Sequence, residues 1–265
     1  MDAHAMNAAL EFQNISATIP SGRRLLDDVS LVLEDGTVTA ILGRSGSGKT
    51  TLLRTANRMI EPSRGRVLVA GANANELSLV QLRRKLGYVI QETGLFPHFN
   101  TERNIGIVLE AEGQSREQRV TRSNELLQLV GLDPSTFSTR FPHQLSGGQR
   151  QRVGLARALA AEPKILLMDE PFGALDPLTR AEMQDMLRDL LQRLHTTVLL
   201  VTHDLDEALY LADRIVLLGE GRVLANLPRD RFLQSDQPEI VAYARAFRRG
   251  QSNAALDPIA KNGVL

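Results

Sequence analysis

The apolar run Thr37-Val38-Thr39-Ala40-Ile41-Leu42 leads without a break into Gly43-Arg44-Ser45-Gly46-Ser47-Gly48-Lys49-Thr50-Thr51. Apolar residues then recur at helical spacing, at Leu52, Leu53, Ala56, Met59 and Ile60, until Glu61-Pro62-Ser63-Arg64-Gly65 ends the helix. This is the G-x-x-x-x-G-K-[ST] pattern in the setting that gives it meaning, after a buried strand and before a helix. Glycines let the backbone curl so that successive amides point inward at phosphate oxygens, and the new helix adds free amides and the positive end of its dipole. Lys49 is suited to neutralise the β- and γ-phosphates of a nucleotide triphosphate, and the Thr50 hydroxyl to bind Mg²⁺. Strand–helix alternation around such a loop argues for a largely parallel sheet with helices on its faces.

The rest of the chain fits that plan. Residues 10 to 33 read as strands with a turn at Pro20-Ser21-Gly22, and Asp35-Gly36 makes a second turn. Gly87-Tyr88-Val89-Ile90 is a strand leading to Gln91. From Thr101 to Ala161 the pattern is mostly helical, broken at Gly113, Gly131, Asp133-Pro134 and Phe141-Pro142, as an inserted helical subdomain would be. Alternation resumes with a strand over residues 164 to 168. Asp176-Pro177 then starts a helix, the aspartate as cap and the proline at the first helical position. Its apolar face carries Met183, Met186, Leu187, Leu190, Leu191 and Leu194. Residues 196 to 201 form the next buried strand, and residues 214 to 224 a hairpin around Gly219-Glu220-Gly221. Short helices are expected beyond Pro228, and a polar tail after Arg249.

Three stretches carry the chemistry: the glycine loop, Leu145-Ser146-Gly147-Gly148-Gln149, and Ile165-Leu166-Leu167-Met168-Asp169-Glu170. Asp169 ends an apolar strand, where an α/β sheet presents its ligands, and can hold Mg²⁺ through water. Glu170 then points at the attacking water as general base or water-orienting group. Gln91 and His203 also follow buried strands, which raises them to γ-phosphate sensors, Gln91 toward Mg²⁺ and water and His203 toward the phosphate itself. Ser146-Gly147-Gly148 opens a helix and is a second anion-binding terminus. One nucleotide needs only one such cradle. The second makes sense if it closes over the γ-phosphate of a facing subunit, so the three stretches meet only when two copies pair.

In this order, the phosphate loop, strand-end Gln91, Leu145-Ser146-Gly147-Gly148-Gln149, Asp169-Glu170, Ala174-Leu175-Asp176 and strand-end His203 resemble an ATP-binding-cassette (ABC) ATPase over residues 10 to 245. The resemblance implies an α/β fold: a P-loop core with a mixed, largely parallel sheet, an antiparallel β subdomain, a helical subdomain over about residues 95 to 161, and a tail over 246 to 265. It implies dimers that sandwich two ATP molecules head to tail. On this chain Lys49, Thr50, Gln91, Asp169, Glu170 and His203 would serve one nucleotide, Ser146 and Gly148 the partner's, and Asp176 would help the two sites communicate.

Asn57-Arg58-Met59-Ile60-Glu61-Pro62, residues 82 to 91 and Gly94-Leu95-Phe96-Pro97-His98 further resemble the ATPases of bacterial glycine betaine, carnitine and choline importers. The partners implied are integral-membrane permease subunits, a second copy of this chain, and an external substrate-binding protein or domain. In such importers the segment from about Glu92 to Asn104 faces the permease's coupling helix, and Leu95, Phe96 and Phe99 suit that docking. Two departures stand out. The position where family members stack an aromatic on adenine is Ile19 here, so weaker nucleotide binding is expected. Many osmoprotectant-importer ATPases continue into a regulatory module, whereas this chain stops at Leu265, which puts that regulation and the substrate in question. Other substrate classes (amino acid, sulfonate, lipid) remain alternatives, as does a soluble ABC ATPase acting on DNA or ribosomes, though the latter usually carries two cassettes or a coiled-coil insertion.

Composition bounds the partners. Lys+Arg and Asp+Glu both number 31, so the net charge is zero and there is no broad field for nucleic acid or anionic lipid. With no cysteine there are no disulfides or thiolate metal sites. No apolar run approaches the roughly 20 residues needed to span a bilayer, and the amino terminus lacks a signal pattern. The expected location is the cytoplasmic face of the cell membrane, reached through the permease.

Overall fold

The computed structural model describes residues 8 to 256 apart from Pro20 and Glu92, with side chains described as far as 249. The first residues of the chain, Pro20 of the first turn, Glu92 at the head of the docking segment and residues 257 to 265 of the tail lie outside the described residues.

In chain order the strands are β1 (Ala8–Thr18), β2 (Arg24–Glu34), β3 (Val38–Leu42), β4 (Arg64–Val69), β5 (Ala72–Asn73), β6 (Leu86–Val89), β7 (Ile165–Asp169), β8 (Thr197–Val201), β9 (Arg214–Gly219) and β10 (Arg222–Pro228). The helices are α1 (Lys49–Ala56), α2 (Leu79–Arg84), α3 (Thr101–Ala111), α4 (Arg116–Leu129), α5 (Pro134–Phe137), α6 (Gly147–Leu159), α7 (Pro177–Leu194), α8 (Leu205–Leu211), α9 (Arg229–Phe232) and α10 (Pro238–Leu256). A six-stranded sheet has the order β10-β9-β3-β8-β7-β6, parallel except at the β9–β10 hairpin, and a four-stranded antiparallel sheet has the order β2-β1-β4-β5. The expected α/β fold is therefore present.

Strands β3, β7 and β8 are buried at every position, as parallel strands covered on both faces must be. Their side chains alternate between two cores, following the period of two of an extended chain. Ala40, Leu42, Leu166, Met168, Val198 and Leu200 face the helical side with Ile105, Leu126, Val153 and Leu187, whereas Ile41, Leu167, Leu199 and Val201 face the antiparallel sheet with Phe12, Leu31, Leu52 and Leu53. Each fully buried Val, Leu, Ile, Phe or Met among them contributes about 1.5–3 kcal/mol. The helical insertion shares the first of these cores.

The insertion's punctuation was written locally. Asn100 caps α3, Ser115 caps α4 through a reciprocal box with Gln118, and Asp133 caps α5 ahead of Pro134. Gly113 and Gly131 stand just past helix ends with φ of 81° and 72°, a conformation that favours glycine.

Two sequence expectations need correction. Helix α1 stops at Ala56, not Ile60: Asn57 caps it, Arg58 turns into the left-handed region at φ 52°, and the Asn57 side chain accepts from the Met59 amide at 3.1 Å. Met59 keeps helical spacing but is exposed. Beyond Pro228 the chain makes one short helix and then a single long one, α10, which runs into the stretch read as a tail.

Candidate functional site

Strand β3 delivers the glycine loop to the carboxyl edge of the six-stranded sheet, where two of its glycines admit no substitute. A Cβ on Gly43 would lie 2.3 Å from the Leu218 carbonyl oxygen, and one on Gly48, at φ 103°, 2.7 Å from that of Leu25. Arg44, Ser45 and Gly46 are exposed, Ser47 and Lys49 are buried, and Thr50 and Thr51 are partly buried at the start of α1. Among the described residues no side chain caps α1, which leaves its first amides open. The buried Ser47 hydroxyl has no hydrogen-bond partner among the described residues. Lys49 Nζ donates to the carbonyls of Gly43 at 2.8 Å and Arg44 at 3.0 Å. Burial pulls its pKa down while the carboxylates of Glu170 and Asp169 oppose the shift. A desolvated cation at a helix start with open amides is a site for a polyanion.

The strand order β8-β7-β6 places Gln91, Glu170 and His203 at neighbouring strand ends. Asp169 Oδ1 accepts from the Thr50 hydroxyl at 2.8 Å, joining β7 to the glycine loop. Glu170 has φ 46°, uncommon for a residue with a side chain, and its amide donates to the Val201 carbonyl at 2.9 Å. Its Oε2 accepts from Gln91 Nε2 at 3.3 Å and lies 3.3 Å from His203 Nδ1. One carboxylate is thus held between the two strand-end groups that sequence had singled out.

Behind this cluster stand residues that sequence reasoning missed. Tyr88 points its hydroxyl at Asp169 Oδ2 from 3.5 Å. Arg180, one helical turn past Asp176, bridges Asp204 Oδ2 and the Leu175 carbonyl, each at 3.4 Å, so it ties the segment before α7 to the one before α8. Thr202 donates to the buried Glu207 at 2.6 Å. Burial raises the Glu207 pKa, while the Thr202 hydrogen bond opposes the shift. Two spacings could have pointed to some of them, Asp176 to Arg180 along one helix face and Asp204 to Glu207 at a helix start.

Ser146 to Gln149 are placed differently. Ser146 Oγ accepts from the Gln149 amide at 3.2 Å, and Gln149 Oε1 from the Ser146 amide at 2.9 Å, a complete capping box at the start of α6. Ser146 and Gly147 are exposed. Gly148 packs on α7, where a Cβ would lie 2.4 Å from Thr179 Cγ2. Among the described residues, no hydrogen bond or ion pair joins this motif to the glycine loop of its own chain. Asp176 caps α7, accepting from the Thr179 amide at 3.1 Å, and the Thr179 hydrogen bonds hold its carboxyl below the usual range.

In the segment after Gln91, the buried side chain of Asn104 accepts from the Phe96 amide at 2.7 Å and donates to the Phe99 carbonyl at 2.9 Å. Arg157 of α6 donates to the Thr93 and Gly94 carbonyls at 2.7 and 2.8 Å. Of the three apolar residues expected to suit docking, Leu95 instead packs against the helical-side core, Phe99 is partly buried and Phe96 is exposed.

Residues 26–173 match the family model described as ABC transporter. The choline transport ATP-binding protein OpuBA of Bacillus subtilis (strain 168) is 46% identical over 88% of this chain and 61% of its own length. The glycine betaine/carnitine/choline transport ATP-binding protein OpuCA of the same organism is 45% identical over the same shares. This chain spans about three fifths of the length of these curated relatives. A dimeric ATP-binding cassette solved in a post-hydrolysis state with ADP and Pi superposes with a TM-score of 0.75, at 34% identity, covering 83% of this chain and 98% of that one.

Proposed function

Since this chain belongs to the ABC transporter family, we propose that it is the ATP-hydrolysing subunit of a bacterial importer, and that the cargo is a quaternary-amine osmoprotectant. The observation that carries the first half is the Glu170 carboxylate held between Gln91 and His203, beside the Thr50–Asp169 contact and the buried Lys49. The second half rests on the relatives, whose names specify choline, glycine betaine and carnitine transport.

The glycine-loop amides, Lys49 and the first turn of α1 hold the triphosphate. Thr50 and Asp169 offer hard oxygens side by side, the kind of donors that a magnesium ion takes in small number alongside phosphate and water. They fit that ion and would hold it, with Gln91 completing the set, and it would supply positive charge to offset that of the phosphates. Glu170 orients and deprotonates the attacking water, and His203 faces the γ-phosphate. This is positioning and electrostatics, with little covalent chemistry asked of the protein. Ser146, Gly147, Gly148 and Gln149 serve the nucleotide of a second copy, and Asp176 lies at that junction. Pairing is supported by the dimeric cassette that this chain resembles. Among the described residues no helix is long and apolar enough to cross a membrane. Permease subunits carry the cargo and dock against the segment around Phe96, which is exposed. An external binding protein delivers the cargo, and the chain works at the cytoplasmic face of the membrane.

The test begins with the purified protein at high concentration. Mg²⁺-dependent ATP hydrolysis abolished by Lys49→Ala is the expected result, and its absence even with the permease overturns the enzyme reading. Tagged protein is then recovered from detergent-extracted membranes of its host. A permease together with a binding domain whose pocket is an aromatic cage supports quaternary-amine cargo, because cation–π contact holds such ligands. A different binding domain removes the cargo and leaves the motor.

A further inference from the structure

Helix α10 reaches the candidate site from outside the sheet. Ile240 is buried, and Tyr243, Ala244 and Phe247 pack against the helical-side core. The Tyr243 hydroxyl donates to the His203 carbonyl at 2.9 Å, forty residues away along the chain. Burial pushes this phenol up to about 12, against the pull of the Gly43 backbone, so at neutral pH it stays protonated and remains a donor. Tyr243 also lines, with the glycine loop and the β9–β10 turn, a cleft of about 440 Å³.

His203 is largely open to solvent. Its imidazole is 61% exposed and touches Glu170 from the short link between β8 and α8. On one side the Thr202 amide is fixed by the Ile41 carbonyl at 3.1 Å. On the other the Asp204 amide donates to the Thr202 hydroxyl at 3.0 Å, while the Asp204 side chain caps α8. The His203 carbonyl is the point where a different element takes hold.

We propose that Tyr243 is a positioning residue for the Glu170–His203 pair, its hydroxyl fixing the His203 peptide so that α10 sets where the imidazole stands. The proposal rests on the ATPase reading. It also gives α10 a direct route to hydrolysis: a displacement of this helix releases the peptide, and the imidazole loses its register with Glu170. A misplacement of about 1 Å at a reacting centre can cost about 10²-fold in rate.

Tyr243→Phe keeps the ring and its packing and deletes only the donor. In the full chain, the expected result is a fall in kcat of about tenfold, with KM for ATP within about twofold and an unchanged melting temperature. In a His203→Ala background the same substitution should change kcat no further, because the group it positions is gone. An unchanged kcat, or an equal fall in both backgrounds, overturns the proposal. Amide exchange separates it from the ATPase reading. Tyr243→Phe should speed exchange over residues 202 to 205 even if the protein hydrolyses no ATP, and unchanged exchange rejects the clamp whatever the activity.

Discussion

The starts of α1 and α6 are both glycine-bearing helix termini, yet the chain finishes them in opposite ways. At α1 the capping residue is Gly48 in the left-handed region, no side chain closes the terminus, and Ser47 and Lys49 are buried beside it. Thr50, in the first turn, is already tied to β7 through Asp169. At α6 the serine and glutamine of the motif satisfy each other, and Ser146 and Gly147 face solvent. The capping box consumes the amides of Ser146 and Gln149, leaving those of Gly147 and Gly148 and the proton of the serine hydroxyl for any ligand. An open terminus interlocked with the core suits a ligand bound by its own chain. A terminus finished locally and exposed folds without a ligand, which agrees with the proposal that it serves a nucleotide carried by a second copy.

The sharpest test of the contrast is at the carboxylate beside the open terminus. Glu170→Gln should lower turnover by about 10²–10⁴-fold while ATP still binds, compared by phosphate release and nucleotide titration. Near-normal turnover would move the base elsewhere and dissolve the special standing of this end.

Next comes a paired substitution. Gly48→Ala puts a Cβ into the Leu25 carbonyl and forces a left-handed alanine, costing at least about 1–2 kcal/mol and removing ATP binding by dilute protein. Gly148→Ala presses on Thr179 and should leave binding at dilution intact while lowering hydrolysis at high concentration by about tenfold or more. If Gly148→Ala weakens binding by dilute protein, both termini serve the same nucleotide and the contrast fails.

A smaller effect is expected at Ile19, exposed in the turn after β1. Ile19→Tyr should tighten ATP about 2- to 12-fold, the equivalent of about 0.5–1.5 kcal/mol of stacking. Unchanged affinity in equilibrium titration would mean that another side chain covers adenine.

The least is expected at Glu207, behind His203. Its pKa is raised from 4.5 by burial, so the folded state keeps this proton longer than the unfolded chain does. As pH rises through 4.5 toward the raised value, this group removes stability. Glu207→Gln lacks that loss, so melting curves at successive pH values should shift in the variant's favour across the window. A constant difference between the two proteins would assign the site another balance of charges.

Much of this was legible because it is local. A cap, a capping box or a glycine loop is built from residues within a few positions of one another, which is why Ser146, Asp176 and Asp133 stand where sequence puts them. Periodicity misled at Met59 and Ile60 because a turn stabilised by the Asn57 side chain keeps apolar residues at helical spacing without a helix. Strand β4 gave little signal because its first three residues are exposed, and β5 has only two. Helix α10 was broken up in the reading because its buried anchors, Ile240 and the partly buried Tyr243 and Phe247, are sparse among exposed residues.

By itself, the sequence determined the phosphate loop, the α/β plan and the residues at strand ends, since each follows from short-range pattern. Tertiary structure alone decided which strand ends are neighbours. The order β8-β7-β6 brings Gln91, Glu170 and His203 into one cluster, and it arises from parallel crossovers and from which side chains fill the two cores. The contacts of Arg180 with Asp204 and of Tyr243 with His203 belong to the same class. A hydrogen bond between residues 24 or 40 positions apart leaves no periodic trace along the chain, because packing of distant elements supplies the proximity that it needs.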